Sequence, residues 1–375
     1  MNILHITKVK NWNGEVQQLF LLVVEQKRMG LDVCVLCSFG SEIHKKLSET
    51  GINTRTYCKN EKTAIKLAGI INQIKKECLI RVIHLHSSSL LLASIIYSKF
   101  YDNKTPIILA KKSMIRGSSI FSQLKYNHTS IKKIICVSEA VQATLTDLMW
   151  EKNIHKISVL YDGINTDLCT KTSPMDIRQQ HNLIKSDFIV GNIANHTSAK
   201  DLEIFVKTAN YIVNTLGLSD VKFFQIGGET KYSKIIHDLA EQYDLANNLF
   251  FMGFQNNASD LLPQFDAMLM TSKREGLPLT IYEAFLYKIP VVSTKAGGIP
   301  EAIEHDKTGF LSDIGDFKSL GDNIVRIKKD VLMRKLIVNN AEFLLNMKFT
   351  QSVMERKTHD VYLECLNDSS KIVKK

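Results

Sequence analysis

The stretch SKREGLPLTIYEAFLYKIPVVSTKAGGIPEAI, residues 272–303, carries the densest signal in this chain. The apolar run at 267–271 that precedes it reads as a buried strand. Glu275-Gly276 then turn the chain, and Pro278 fits the first position of a helix, where a missing N–H costs nothing. The start of that helix offers unpaired N–H groups and a positive dipole end to an anion, ideally a phosphate. Glu275 lies before that end. Glu283 lies about five residues inside it, roughly 7.5 Å along the axis at ~1.5 Å per residue. Two carboxylates astride a phosphate site suit a ligand with hydroxyls on both sides of a diphosphate, which describes a nucleotide-sugar. The next strand, 290–294, leads into AGGIPE at 296–301, a glycine turn with Pro and Glu opening another helix. Its backbone N–H groups are expected to form a further anion nest.

Outward from this stretch the chain repeats strand, loop and helix. In the C-terminal half, strands are expected at 188–193, 221–226, 248–253, 267–271 and 290–294, with a polar loop at 194–200 and an amphipathic helix over 201–216. In the N-terminal half, strands are expected at 2–6, 31–37, 81–85, 107–110, 133–137 and 156–160, with helices over 15–29, 90–100 and 139–149. Such alternation gives parallel sheets with helices on both faces. The expected fold is α/β, two doubly wound Rossmann-like units facing each other across a cleft at their strand C-terminal ends. The boundaries are 1–165, 166–350 and a C-terminal helix over 351–375 that packs back toward the first domain and ends in a frayed tail.

The chain has 375 residues, enough for two domains with real cores. No apolar run approaches the ~18–20 residues of a spanning helix. The start, MNILHITKVK, has the reverse order of a signal peptide, so an unexported, cytoplasmic chain is expected. Cys34 and Cys37 have CxxC spacing but sit in the alternating DVCVLC, where residues three apart point to opposite faces. They read as buried thiols, not a metal site. The charge is uneven: residues 1–165 hold 23 Lys+Arg against 12 Asp+Glu, and the rest 25 against 26. A basic first half points to an acidic partner: nucleic acid, an anionic membrane surface or a phosphorylated substrate. It is equally a solubilising surface.

The segment 272–303 resembles the E-x7-E motif of the retaining family-4 (group 1) glycosyltransferases, which have the two-domain GT-B fold. Glu275 and Glu283 have the family separation, and GLPLT, PVVST and GGIPEAI match its flanks. Asn13-Gly14, HLHSS at 84–88, VSEA at 137–140 and YDGIN at 161–165 are similar to its N-terminal domain. The pattern is most like bacterial transferases building lipopolysaccharide core, O-antigen, capsule or other surface glycans. The resemblance implies that Glu275 bonds donor-sugar hydroxyls, with backbone N–H groups from Gly276, Leu277, Leu279 and Thr280 near sugar and diphosphate. It implies that Glu283 takes the ribose hydroxyls, that Lys200 neutralises the diphosphate, that Gly14 lets its loop approach the donor, and that Gly253-Phe254 lie near the base. His86, at a strand end, is a further site candidate. The implied donor is a UDP-sugar, with no cofactor, and the reaction is metal-independent with retention, the leaving phosphate taking the acceptor proton.

The sequence departs from the family at several positions. Gly191-Asn192-Ile193 stands where an Arg is usual, which leaves Asn192 beside the donor and removes a diphosphate cation. Lys111-Lys112 stand where many members have His. The resemblance makes 1–165 the acceptor-binding domain and 166–350 the nucleotide-sugar-binding domain, and Lys111, Lys112, Arg116 and Lys125 form a candidate acceptor patch for a glycan or glycolipid, or a solvated face. The basic half is expected to touch an anionic cytoplasmic leaflet peripherally. Two other classes remain: a sugar-nucleotide epimerase of the same architecture, needing no acceptor, and more remotely a basic nucleic-acid binder, although no nucleic-acid motif is present. A dehydrogenase is disfavoured because no G-x-G-x-x-G follows a strand.

Overall fold

The computed structural model describes residues 1–115, 117, 119–167, 175–256 and 258–372, with side chains up to residue 367. The chain forms two compact units, Met1–Asn165 with Lys348–Lys375, and Thr166–Met347.

In the first unit, strands β1 (Asn2–Ile6), β2 (Asp32–Ser38), β3 (Asn53–Tyr57), β4 (Val82–Leu85), β5 (Ile107–Lys111), β6 (Ile131–Cys136) and β7 (Ile157–Val159) make one sheet. Its order is β3-β2-β1-β4-β5-β6-β7, and every ladder is parallel. The near-continuous apolar runs of β1, β4 and β5 are buried along their length, as a parallel sheet covered on both faces requires. The helix Gly14–Arg28 begins where Asn13 Oδ1 accepts the Val16 N–H at 3.0 Å.

The chain returns to this unit at its end. The sequence places a C-terminal helix over 351–375, and the structure has two helices at this end, Val331–Lys348 and Gln351–Ile372. Between them Thr350 bridges to Ile164 and Phe349 is wholly buried, so the backbone is extended there instead of helical. The last helix packs on Gly14–Arg28: Gln351 Nε2 donates to Leu21 O at 2.9 Å, and Tyr362 is buried beside Ile3, Leu22 and Val82.

The second unit holds β8 (Phe188–Ile193), β9 (Val221–Ile226), β10 (Leu249–Phe251), β11 (Ala267–Met270), β12 (Val291–Thr294) and β13 (Phe310–Ser312). The order is β10-β9-β8-β11-β12-β13, again all parallel. Gly191 in β8 has a packing reason: a Cβ there would strike the Phe265 ring. The helix expected over 201–216 is α-helical only across Leu202–Asn210. It passes into a π turn at Tyr211–Thr215.

In each sheet the strand order reverses once, between β1 and β4 and between β8 and β11. Connections leave such neighbours toward opposite faces, and the crevice they open is where ligands of doubly wound sheets bind. Residues 7–13 and 86–90 flank the first crevice, and residues 194–201 and 271–278 flank the second. Among the described residues no helix is long and apolar enough to cross a membrane.

Candidate functional site

At the second reversal the two loops are tied together. Lys273 N–H donates to Ala199 O at 2.8 Å, Thr271 Oγ1 to Lys200 O at 3.1 Å, and Thr294 Oγ1 to Ser272 O at 2.6 Å. On this backbone frame Lys200 Nζ donates to Glu275 Oε1 at 2.6 Å, and Ser272 Oγ donates to the same oxygen at 2.6 Å. The Lys200 and Glu275 side chains are only 27% and 10% exposed, which sets this pair apart from a solvent-screened surface bridge. Beside it, Lys273 Nζ lies 3.0 Å from Asp201 Oδ1. Asp201 adopts a left-handed conformation at the start of its helix, and burial raises its carboxyl above the usual range while Lys273 opposes the shift.

The sequence places Pro278 inside the helix that follows, but the structure makes it the N-cap. Its ψ of 132° is extended, and the helix runs Leu279–Leu286. The N–H groups left without intrahelical partners therefore begin at Leu279 and Thr280. Leu277 and Leu279 are buried, so their side chains anchor the loop and only their backbones are left to meet a ligand. Glu283 is the fifth helical residue, and its Oε2 accepts a bond from Ser259 Oγ at 2.8 Å. Ser259 lies in a short 3-10 segment, Ala258–Gln264, that no sequence pattern marked.

The glycine turn after β12 is not an anion nest. Gly298 N–H donates to Gly276 O at 3.1 Å, Ile299 N–H to Ala296 O at 3.2 Å and Glu301 N–H to Gly298 O at 3.0 Å, so these donors are already used. Gly297 sits at φ 56°, and a Cβ there would collide with the Glu275 carbonyl oxygen. The turn instead supports the Glu275-Gly276 loop from below. The sequence shows the glycines but not what lies against them.

Other expected donor residues lie in the same unit. Asn192, buried at the end of β8, donates from Nδ2 to Leu269 O at 2.7 Å and so ties β8 to β11, while its Oδ1 is buried without a hydrogen bond. Gly253 O accepts the Gly227 N–H at 2.9 Å, and Phe254 is 71% exposed. The loop to Lys200 is held by His196, which sequence reading missed. Its ring nitrogens contact Ser233 Oγ at 2.9 Å and Gln225 Oε1 at 2.7 Å.

In the first unit, a cavity of about 340 Å³ opens at the β1/β4 reversal, lined in part by Glu15, His86, Lys111 and Lys112. Gly14 opens the adjoining helix and delivers Glu15 to this rim. His86 is buried against His5 and His84, with His5 Nδ1 2.9 Å from His86 Nε2. Burial drives all three imidazoles neutral, His5 down to about 4 and the other two well below the usual value. The lysine patch needs correction. Lys111 Nζ donates to the Ser113 carbonyl and hydroxyl, and Lys112 pairs with buried Asp162, so neither ammonium is an open phosphate binder. Lys125 lies on the helix Ile120–Tyr126, whose Tyr126, not Lys125, reaches the cavity. Arg116 lies outside the described residues. Cys34 and Cys37 are both buried free thiols, as their strand pattern implies.

The family model for Glycosyltransferase Family 4 matches residues 12–168, and that for Glycosyl transferases group 1 matches residues 175–343. The chain thus carries a Glycosyltransferase Family 4 domain followed by a Glycosyl transferases group 1 domain. The N-acetyl-alpha-D-glucosaminyl L-malate synthase of Bacillus anthracis is 25% identical over 212 residues, 56% of this chain and 55% of that protein. The O-antigen biosynthesis glycosyltransferase WclY of Escherichia coli is 24% identical over 208 residues, 55% of each chain. The chain spans about half the length of the curated relatives it matches. Among solved structures, Anabaena HepE in complex with UDP and glucose has a TM-score of 0.82 and 21% identity, covering 97% of this chain and 100% of HepE. The likeness shows that its two parallel-sheet units have the GT-B architecture.

Proposed function

We propose that this glycosyltransferase moves a sugar from a nucleotide-diphosphate donor, a UDP-sugar, to a hydroxyl of a cell-envelope glycan, with retention of configuration and without a metal ion. The observation that carries the reading is the junction of Lys200, Ser272 and Glu275 beside the start of the Leu279–Leu286 helix. An ammonium and a helix N-terminus at one point are suited to stabilising the charge that grows on a departing diphosphate. They supply the positive charge a metal would otherwise provide. Glu275 Oε1 is held by two donors, so its other oxygen is left for a donor-sugar hydroxyl. Glu283, steadied by Ser259, is placed to accept from the ribose.

In the step, the bond between the anomeric carbon and the phosphate oxygen breaks and the acceptor oxygen bonds to that carbon from the same face. The acceptor proton passes to the departing phosphate. A relative named for O-antigen biosynthesis supports an envelope acceptor. The basic first half, together with Ile120 and Phe121 standing 75% and 77% exposed, supports peripheral contact with an anionic cytoplasmic leaflet. Vesicle sedimentation with no preference for anionic lipid contradicts that contact.

The test is calorimetry with UDP and a panel of UDP-sugars, followed by NMR of the product anomer with and without chelator. Absence of UDP binding, an inverted product, or activity lost on chelation each overturns the corresponding part. Donor converted to an epimer without any acceptor identifies an epimerase instead.

A further inference from the structure

The helix Val331–Lys348 turns one face inward and leaves the other uncovered. Ile337, Ala341 and Leu345 are buried, and Ile337 belongs to the core of the second unit. On the outward side Leu332, Leu336, Phe343 and Met347 are 80%, 60%, 69% and 61% exposed. At about 100° of turn per residue these four fall within roughly 60° of one another around the axis. A single exposed leucine needs no explanation, but four large apolar side chains along one line mark a contact surface.

The order of these residues says what covers them. The helix midpoint falls between Asn339 and Asn340; Leu332 and Met347 lie equally far from it, and so do Leu336 and Phe343. Turned end for end, the stripe presents large apolar side chains at the same heights. In two antiparallel copies related by a twofold axis, Leu332 of one stands opposite Met347 of the other, and Leu336 opposite Phe343. The polar edge obeys the same operation. Lys335 and Glu342 lie on one side of the stripe, so the axis sets each Lys335 beside the other copy's Glu342, about 3 Å apart along the helix. Glu342 also lies 2.9 Å from Lys288 of its own chain, and a carboxylate has oxygens for two cations. A parallel pair would instead lay Lys335 and Glu342 against Met333, Asn340 and Leu344, with no opposite charge to meet.

We propose that this face binds a second copy of the chain as an antiparallel helix pair, an isologous contact in which one patch serves both sides. Asn339 stands exposed near the axis, where the two carboxamides donate to and accept from each other. Against a bilayer the same side chain would face hydrocarbon without a partner. A face about 27 Å long and about 10 Å wide falls well short of the ~800 Å² per partner of a standard interface. The dimer is therefore weak and forms with rising concentration.

The test is sedimentation velocity of the full chain from about 1 to 200 μM, where wild type should show a reversible monomer–dimer equilibrium. Leu336→Glu and Phe343→Glu should each weaken it about tenfold or more, the loss of roughly one decade in Kd, with Leu336→Met as an unchanged control. Cross-linking then reads the orientation and does not depend on the glutamate variants folding. With a short bis-maleimide, Asn339→Cys should give linked dimer above the wild-type level set by native thiols such as exposed Cys58. Leu332→Cys should not, since its two copies stand about 22 Å apart along the axis. A wild type monomeric throughout, or a dimer indifferent to both glutamates, overturns the proposal. So does Leu332→Cys linking as readily as Asn339→Cys, which means a parallel pair. Binding to anionic vesicles that Leu336→Glu abolishes, with self-association unchanged, gives the face to a bilayer instead.

Discussion

Lys200 Nζ stands 2.6 Å from Glu275 Oε1, joining the loop after β8 to the loop after β11 at the point where the strand order reverses. The pair holds a positive charge and a hydrogen-bond acceptor side by side, the two properties a sugar diphosphate needs at its centre. Lys200→Ala should weaken UDP binding by roughly 1.5–3 kcal/mol, the scale of a hydrogen bond to a charged group. Calorimetry giving wild-type affinity removes Lys200 from the site. Glu275→Gln should lower kcat more than it changes UDP affinity.

Gly297→Ala tests the support beneath that pair. Gly297 and Gly217 share a left-handed backbone, φ 56° and 71°, but a Cβ at 217 meets open space whereas one at 297 meets the Glu275 carbonyl. Both alanines pay about 1–2 kcal/mol for the backbone. Gly297→Ala should cost clearly more in urea unfolding and alone reduce turnover. Equal effects at the two positions would remove the supporting role.

Glu283→Ala should raise the donor KM strongly, and Ser259→Ala should raise it less, by about 1 kcal/mol, since it removes a neutral bond to the same carboxylate. The readout is the donor KM with kcat measured alongside. A Ser259→Ala effect as large as that of Glu283→Ala contradicts the order of contact.

The buried His5, His84 and His86 predict acid sensitivity. Their folded-state values lie below the unfolded value near 6.5, with His5 at about 4. The unfolded chain thus binds more protons, and stability present above pH 6.5 drains away as pH falls toward 4. His5→Gln should shallow that decline in a series of Tm values against pH. A slope identical to wild type refutes the cause.

Glu355 is wholly buried, and neither carboxylate oxygen has a hydrogen-bond partner. Burial raises its carboxyl, with Glu25 and Asp360 adding to the shift. A raised folded value makes the ionised group costly above pH 5. Glu355→Met should therefore raise stability near pH 7 by about 1–4 kcal/mol, with little gain at pH 4. A destabilised variant at pH 7 would mean that the carboxyl is held by something else.

Much of this arrangement is legible in the sequence because it depends on local pattern. The apolar runs of β1, β8, β11 and β12 give the sheets, and Glu275, Gly276 and Glu283 stand at fixed spacing. Strands β3 and β13 were not anticipated: NTRTY is polar and half exposed at a sheet edge, and FLS is only three residues long. What the sequence hides is pairing over long separations. Lys112 looks like a free cation until Asp162, fifty residues later, takes its charge. Glu15 looks like an ordinary acidic residue in a first helical turn, where the dipole favours it. Only burial at the cavity wall sets it apart.

The closing helix has a bearing on how the protein is made. Tyr362 supplies the partner of His84 Nδ1, at 2.6 Å, and fills the core around Ile3 and Val82. Synthesis runs from the N-terminus, so the ribosome must finish the whole second unit before it delivers the residue that seals the first. Until then the nascent first unit waits with an open seam. Chains truncated after residue 347 should accordingly be cut by protease within residues 1–165 far faster than the full-length protein, and equal resistance would show that the seam closes without its last helix.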